Sequence, residues 1–249
     1  MGGQVIEAVQ DAADMEVVAG IDVRTPSPDQ AAAYHFALNQ DLRASITATK
    51  PQVLVDFTIA EAAYNNALTA LELGVRPVVG TTGLSAEQLG RIESRARETN
   101  TGAFVAPNFA LGAVLTMHFA RTAARYFDSA EVIEMHHDQK VDAPSGTGVW
   151  IAQNMAEARG RAFKMNVPEK EPLPGARGAE LGGVRLHSVR LPGLLAHHEV
   201  MFGGPGQVLT IRHDSMDRAS FMPGVLIAIR EVLGLDRLVV GLDNLLHLQ

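Results

Sequence analysis

The chain contains no cysteine, which excludes disulfides, thiolate metal sites and cysteine nucleophiles and is compatible with a reducing compartment. Positive charge is in deficit. With 21 Lys and Arg against 28 Asp and Glu, the net charge is −7. A nucleic-acid-binding surface is therefore not expected as the main function, because phosphate binding needs a basic footprint, although a local pocket for a small anion is still allowed. Long apolar runs are missing too. None approaches the roughly eighteen residues of a spanning helix, so no membrane segment is expected. The N-terminus lacks a basic stretch followed by an apolar one, so no signal peptide is expected. Ile6 stands where a myristoylation motif beginning Met1-Gly2 wants Ser or Thr. No internal repeat or low-complexity segment is visible.

What is present is ordinary globular composition, 47% hydrophobic over 249 residues, enough for one large domain or two smaller ones. The first two-fifths alternate helix and strand. Gln4–Ala13 carries Val5, Ile6 and Val9 on a helical stripe, and Val17–Val23 is β-rich. A polar loop with proline follows at Thr25–Asp29. The near-continuous apolar run Val53–Thr58 suits a strand covered on both faces, and Ala60–Leu73 is helical with Gly74 as its stop. Pro77–Gly80 is the next strand. Ser85 and Gln88 fit a capping box opening a helix to about Thr99, and Ala103–Ala106 is a further strand. Strands separated by helices imply βαβ units and a parallel sheet. After Pro107 the pattern changes. A helix at Leu111–Tyr126, a strand at Ala130–His136, a helix at about Gly146–Arg159 and a long loop at Val167–Gly183 precede three runs of strand character, Val184–Leu191, Glu199–Phe202 and Gln207–His213. The last two are joined by a turn at 203–206, and strands without crossovers suggest an antiparallel or mixed sheet. A helix at about Ala219–Leu233 and a short apolar tail close the chain. The expectation is an α/β protein: a Rossmann-like domain over 1–108 joined by a C-terminal helix within 218–249, and an α+β domain over 109–217.

A parallel sheet binds ligands outside the carboxyl ends of its strands. Asp22 ends the second visible run there and is placed to accept hydrogen bonds from a ribose diol, or it simply starts a turn. Gly80-Thr81-Thr82-Gly83 follows a strand, with small residues that let a ring approach and hydroxyls that donate; a tight connection would look the same. Ala106-Pro107-Asn108-Phe109 closes the next strand, where Asn108 either donates to a ligand or caps the following helix. A complete G-x-G-x-x-G phosphate loop is absent, and Met1-Gly2-Gly3 stands directly before an amphipathic helix, like the last residues of such a loop.

In the second half, residues 134–148 read EMHHDQKVDAPSGTG. His136 and His137 titrate near neutrality and can transfer protons. Lys140 adds fixed positive charge for a carboxylate. Ser145-Gly146-Thr147-Gly148 opens a helix whose free amides, with hydroxyls alongside, suit a carboxylate or phosphate. Together they describe a pocket for a small dicarboxylate. Two other readings stay open: a zinc site of His136, His137 and Asp138, or two exposed histidines in a polar loop. Adjacent strand residues point to opposite faces, which disfavours the metal.

This stretch resembles the signature of the 4-hydroxy-tetrahydrodipicolinate reductase (dihydrodipicolinate reductase) family. The resemblance extends through VDFTIAEA, VVGTTG, APNFALG and RLPGLLAHHEVMFGGPGQVLTIRHDSMDRASFMPGVL in the family's order. It implies reduction of a cyclic dicarboxylate imine with NADH or NADPH, in a cytoplasmic homotetramer assembled through the sheets of the second domain. It implies His136 as proton donor and acceptor, Lys140 as second catalytic group, and His137, Gly146 and Thr147 on the substrate carboxylates, with Ser145 beside them. Asp22, Gly80, Thr81, Thr82, Ala106, Pro107, Asn108 and Phe109 would line the nicotinamide cofactor. The family's first strand and most of its Gly-rich loop have no counterpart; only Met1 and Gly2 match the loop's end, so a truncated or misplaced start is expected. The alternative is a non-catalytic dicarboxylate-binding subunit with impaired cofactor binding.

Overall fold

The computed structural model describes residues 1–25, 34–165, 168 and 170–248. The loop expected over Thr25–Asp29 lies mostly outside the described residues, and so does part of the loop expected over Val167–Gly183. The chain divides into two compact units, Met1–Phe109 with Phe221–Gln249, and Ala110–Ser220.

The first unit is built on parallel strands. β1 (Ala19–Ile21) pairs with β2 (Ala37–Asn39). A second sheet holds β3 (Val53–Asp56), β4 (Arg76–Val79), β5 (Ala103–Val105) and β11 (Leu238–Val240) in the order β11-β5-β4-β3. Its helices are α1 (Gly2–Gln10), α2 (Leu42–Thr49), α3 (Ala60–Glu72), α4 (Ala86–Thr99), α7 (Met222–Glu231) and α8 (Leu242–Leu245). Helix α3 turns Ala63, Ala67, Ala70 and Leu71 inward, the spacing of one helical face. It stops where Gly74 takes φ +73°, a conformation open to glycine. Helix α4 starts with the expected capping box: Gln88 N donates to Ser85 Oγ at 3.2 Å and Ser85 N donates to Gln88 Oε1 at 2.9 Å. Ile92 and Ala96 of α4 meet Ala63, Ala67 and Leu71 of α3 over Val79, Ala103 and Val105.

Four elements of this unit were not anticipated: β2, α2, β11 and the short α8. β2 is only three residues long. Helix α2 follows it, capped by Asp41, whose side chain accepts from Ala44 N at 3.0 Å. The apolar tail is also more than a tail: β11 adds a parallel strand beside β5, pairing Leu238 with Ala103 and Val240 with Val105. At the carboxyl end of β5 the backbone is closely covered. A Cβ on Gly224 of α7 would lie 2.1 Å from the carbonyl oxygen of Phe109, so only glycine lets that helix approach.

The second unit is a five-stranded mixed sheet in the order β10-β9-β6-β8-β7. Its strands are β6 (Ser129–His136), β7 (Ala179–Leu181), β8 (Val184–Arg190), β9 (Ala196–Gly204) and β10 (Gln207–Ser215). β7 corrects the expectation of uninterrupted loop up to Gly183; it pairs antiparallel with β8. β6 runs parallel to β8 and antiparallel to β9, so it is interior to the sheet. Helices α5 (Leu111–Ala123) and α6 (Gly146–Arg159) cover one face. There Ala120, Ile151, Met155, Val132, Val184, Leu186, Val200 and Phe202 form the core. The β9–β10 turn is tighter than expected. Gly203 and Gly204 belong to β9, and the reversal is made at Pro205-Gly206, with Gly206 at φ +70°.

Candidate active site

β6 buries every second residue, Ala130, Val132, Glu134 and His136. The E-x-H spacing therefore puts Glu134 and His136 on one face, the face that carries the core. Glu134 is completely buried. Its Oε2 accepts from His136 Nδ1 at 2.6 Å and from Arg190 Nη1 at 3.2 Å. Its Oε1 accepts from Arg190 Nη2 at 2.8 Å and from Ser145 N at 3.2 Å. Burial works against ionisation, but the bonds from His136, Arg190 and Ser145 outweigh it and hold the carboxyl well below the usual carboxylate range. An ionised carboxylate only accepts, so Nδ1 of His136 carries a proton, and Nε2 is the nitrogen left for proton exchange.

The loop after β6 places the remaining residues. Lys140 N donates to His137 O at 3.2 Å, closing a turn, so the four-residue spacing of His136 and Lys140 is that of a turn rather than a helix. Lys140 Nζ lies 2.7 Å from Asp142 Oδ1, and this bond holds the Asp142 carboxyl below its ordinary value. Ser145 caps α6: its Oγ accepts from Gly148 N at 3.1 Å and lies 3.4 Å from His198 Nε2. Ser145 is thus buried, with both its amide and its hydroxyl engaged inside the protein, whereas Gly146 is exposed and Thr147 half-buried at the open end of the helix. The cradle foreseen for Ser145–Gly148 therefore reduces to the amides of Gly146 and Thr147, with Ser145 behind them.

His198, opposite Glu134 on β9, went unnoticed in the sequence. It is 4% exposed and its ring packs edge-on to that of His136, with centroids 5.5 Å apart. Burial, then the neighbouring His136, push its pKa down to about 4. Arg190, from β8, was also missed, because nothing near it in the chain marks it. Among the described residues, no three His, Asp or Glu side chains converge on a point that a metal could occupy. The zinc reading of His136, His137 and Asp138 has no geometry behind it, since Nδ1 of His136 is held by Glu134.

In the first unit, Asp22 follows β1 with its carboxylate exposed. Arg24 donates to it from its backbone at 2.9 Å and from its guanidinium at 3.0 and 3.1 Å, which brings the Asp22 pKa down to about 2. An acceptor and a cation thus stand together at that strand end. After β3, Asp56 is buried and accepts from Thr58 N (2.7 Å), Thr58 Oγ1 (2.6 Å) and Asn66 Nδ2 (2.7 Å). This fixes the turn carrying Phe57. A Cβ on Gly80 would lie 2.0 Å from the Phe57 ring, so only glycine lets Phe57 pack against the backbone after β4. Thr81 is buried and donates to Thr58 O at 3.1 Å, while Thr82 and Pro107 are exposed and Asn108 is half-buried. Ala106 and Phe109 are buried, and Phe109 packs on Phe57 and Phe104, so they shape the floor of this region from beneath. Met1 and Gly2 begin α1, and no atom stands within 4 Å of where a Cβ on Gly2 would be.

Comparison with known proteins gives one answer along the whole chain. The family model for the N-terminus of dihydrodipicolinate reductase matches residues 1–109, and that for its C-terminus matches residues 112–246. A 4-hydroxy-tetrahydrodipicolinate reductase of Lysinibacillus sphaericus is 46% identical over 252 residues, covering 99% of this chain and 95% of that protein. The Bacillus subtilis enzyme of the same name is 54% identical over 206 residues, 83% of this chain and 77% of its own length. The solved structure of a dipicolinate-bound dihydrodipicolinate reductase from Paenisporosarcina is 44% identical, covers 98% of this chain and 94% of its own, and superposes with a TM-score of 0.89.

Proposed function

From the premise that this chain belongs to the dihydrodipicolinate reductase family, we propose a reductase in which His136 moves the proton and the start of α6 holds a substrate carboxylate. The protein is an NAD(P)H-dependent oxidoreductase that reduces 4-hydroxy-tetrahydrodipicolinate, a step of diaminopimelate and lysine biosynthesis. Its substrate is a small dicarboxylate. The observation that carries the site assignment is His136, held by its Nδ1 on a buried carboxylate at the end of β6.

Overall, the substrate loses water and gains a hydride and a proton, and reduced nicotinamide supplies the hydride when bound. His136 supplies the proton through Nε2, because Glu134 occupies Nδ1. Lys140, held by Asp142, brings positive charge to a carboxylate, and His137 with the amides of Gly146 and Thr147 receives carboxylate oxygens. Asp22, Gly80–Thr82 and the 106–109 turn take the cofactor, with Met1 at the cap of α1 and Gly2 presenting its first amide to the phosphates.

A homotetramer in the cytoplasm fits this reading. The sheet face turned away from α5 and α6 carries Ile133, Met135 and Met201, with Val208 exposed at 71%. A second sheet would cover it. No helix among the described residues is long and apolar enough to cross a membrane. No observation favours the non-catalytic dicarboxylate-binding subunit.

The test is direct. Freshly generated substrate added to enzyme and reduced cofactor should oxidise NADH or NADPH; no oxidation at high enzyme concentration would sink the reading. The Asp22–Arg24 pair supplies a second prediction. Asp22→Ala should raise KM for NADH about 10-fold, the worth of a charge-assisted hydrogen bond, and raise KM for NADPH less. Arg24→Ala should weaken NADPH more than NADH. Equal effects on both cofactors, measured by initial rates, would remove the ribose role of this pair.

A further inference from the structure

We infer that Glu134, clamped by Arg190, is a positioning residue that sets His136 and the start of α6 in one frame; the inference rests on His136 being the proton-transfer group. A buried ion pair rarely stabilises a fold more than apolar residues of the same size, so a completely buried carboxylate inside this core calls for another reason. Its four bonds supply one. Oε2 fixes the ring and tautomer of His136. Oε1 receives Ser145 N, one residue before the free amides of Gly146 and Thr147. Arg190, whose guanidinium closes the clamp, also donates from Nη2 to Asp142 O at 2.7 Å, and Asp142 in turn holds Lys140. A proton donor, a cation and an amide cradle, each on a different part of the chain, are thereby referred to one carboxylate.

The packing agrees with the bonding. A Cβ on Gly148 would lie 3.1 Å from Glu134 Cγ, so the first turn of α6 rests against the same side chain. The charged and titratable groups around His136 are Glu134 on its own strand, Arg190 on β8 and His198 on β9. Glu134 is the one that accepts from it.

Glu134→Gln keeps the shape and removes the charge. An amide offers one acceptor oxygen where two are used, so an oxygen kept beside His136 turns the amide nitrogen on Arg190 Nη2 and Ser145 N, which are donors themselves. The expected result is a roughly 10- to 100-fold lower kcat, the worth of one charge-assisted hydrogen bond to the working histidine, with KM for the reduced cofactor unchanged. Glu134→Asp should recover part of the rate. The deciding measurement is the double variant with His136→Gln: a residue acting through His136 adds little to its loss, so the double variant should be no slower than His136→Gln alone. Multiplied losses, or a loss in the single variant that follows the folded fraction, would make Glu134 structural only. If Glu134→Gln does not fold, nitrogen NMR of the wild-type imidazoles decides, with Nδ1–H on His136 supporting the inference and Nε2–H overturning it. An inactive wild type, or a fully active His136→Gln, would instead remove the underlying reading of the site.

Discussion

His136→Gln should lower kcat roughly 10²- to 10⁴-fold, the usual contribution of a general acid in place, while leaving the affinity for NADH close to wild type. Glutamine keeps an amide that can donate to Glu134, so the clamp with Arg190 survives and the fold is spared. What is lost is the ring nitrogen Nε2 that gives and takes the proton. Separate measurement of kcat by steady-state assay and of cofactor binding by fluorescence titration would check this. Parallel losses in both would mean that His136 supports the structure and does not transfer the proton.

The second large effect is on stability against pH. His198 is neutral in the folded protein, with its pKa near 4, against about 6.5 for an unfolded histidine. A depressed pKa means that the unfolded chain binds the proton more readily. The stabilisation is therefore complete above about pH 6.5 and is lost as the pH falls towards 4. The difference amounts to roughly 3 kcal/mol. His213, also lowered by burial, acts in the same direction. The carboxylates of Asp22 and Asp128, held at about 2, lose their partners only at lower pH, so they leave this window largely to the histidines. Urea unfolding at pH 7 and at pH 5 should show the loss, and His198→Gln should flatten it. An unchanged slope in the variant would mean that His198 is charged in the folded state or is not buried in solution.

Much of this architecture was readable from the chain, for reasons that differ from place to place. Ser85 and Gln88 announce α4, Gly74 ends α3, and Ser145-Gly146 opens α6, because caps and stops act over three or four residues and are written locally. β2 and β11 escaped notice because three residues carry no period; their identity as strands depends on β1 and β5 lying alongside. The site divides in the same way. The histidines, the lysine and the small residues lie within fifteen positions and point to anion chemistry by type alone. The partner of Glu134 lies 56 residues away on β8, and His198 is brought opposite Glu134 only by the register of β6 with β9. No spacing encodes either contact. The hydroxyl of Ser145 is a similar case: a serine before a helix either caps it or meets a ligand, and only its distances to Gly148 N and His198 Nε2 decide.

The strand β11 carries a consequence for how the protein comes off the ribosome. The unit that contains it is discontinuous, with its parallel sheet finished by residues 238–240 after the whole of Ala110–Ser220 has been made. Until then β5 is an open edge, a row of unpaired backbone groups flanked by Phe104 and Val105. The inserted unit has all its strands in one continuous stretch and can close its sheet while the first still waits for its last strand. Synthesis therefore imposes an order in which the earlier-made half is completed last, and nascent chains halted before residue 238 expose an edge that the finished protein never shows.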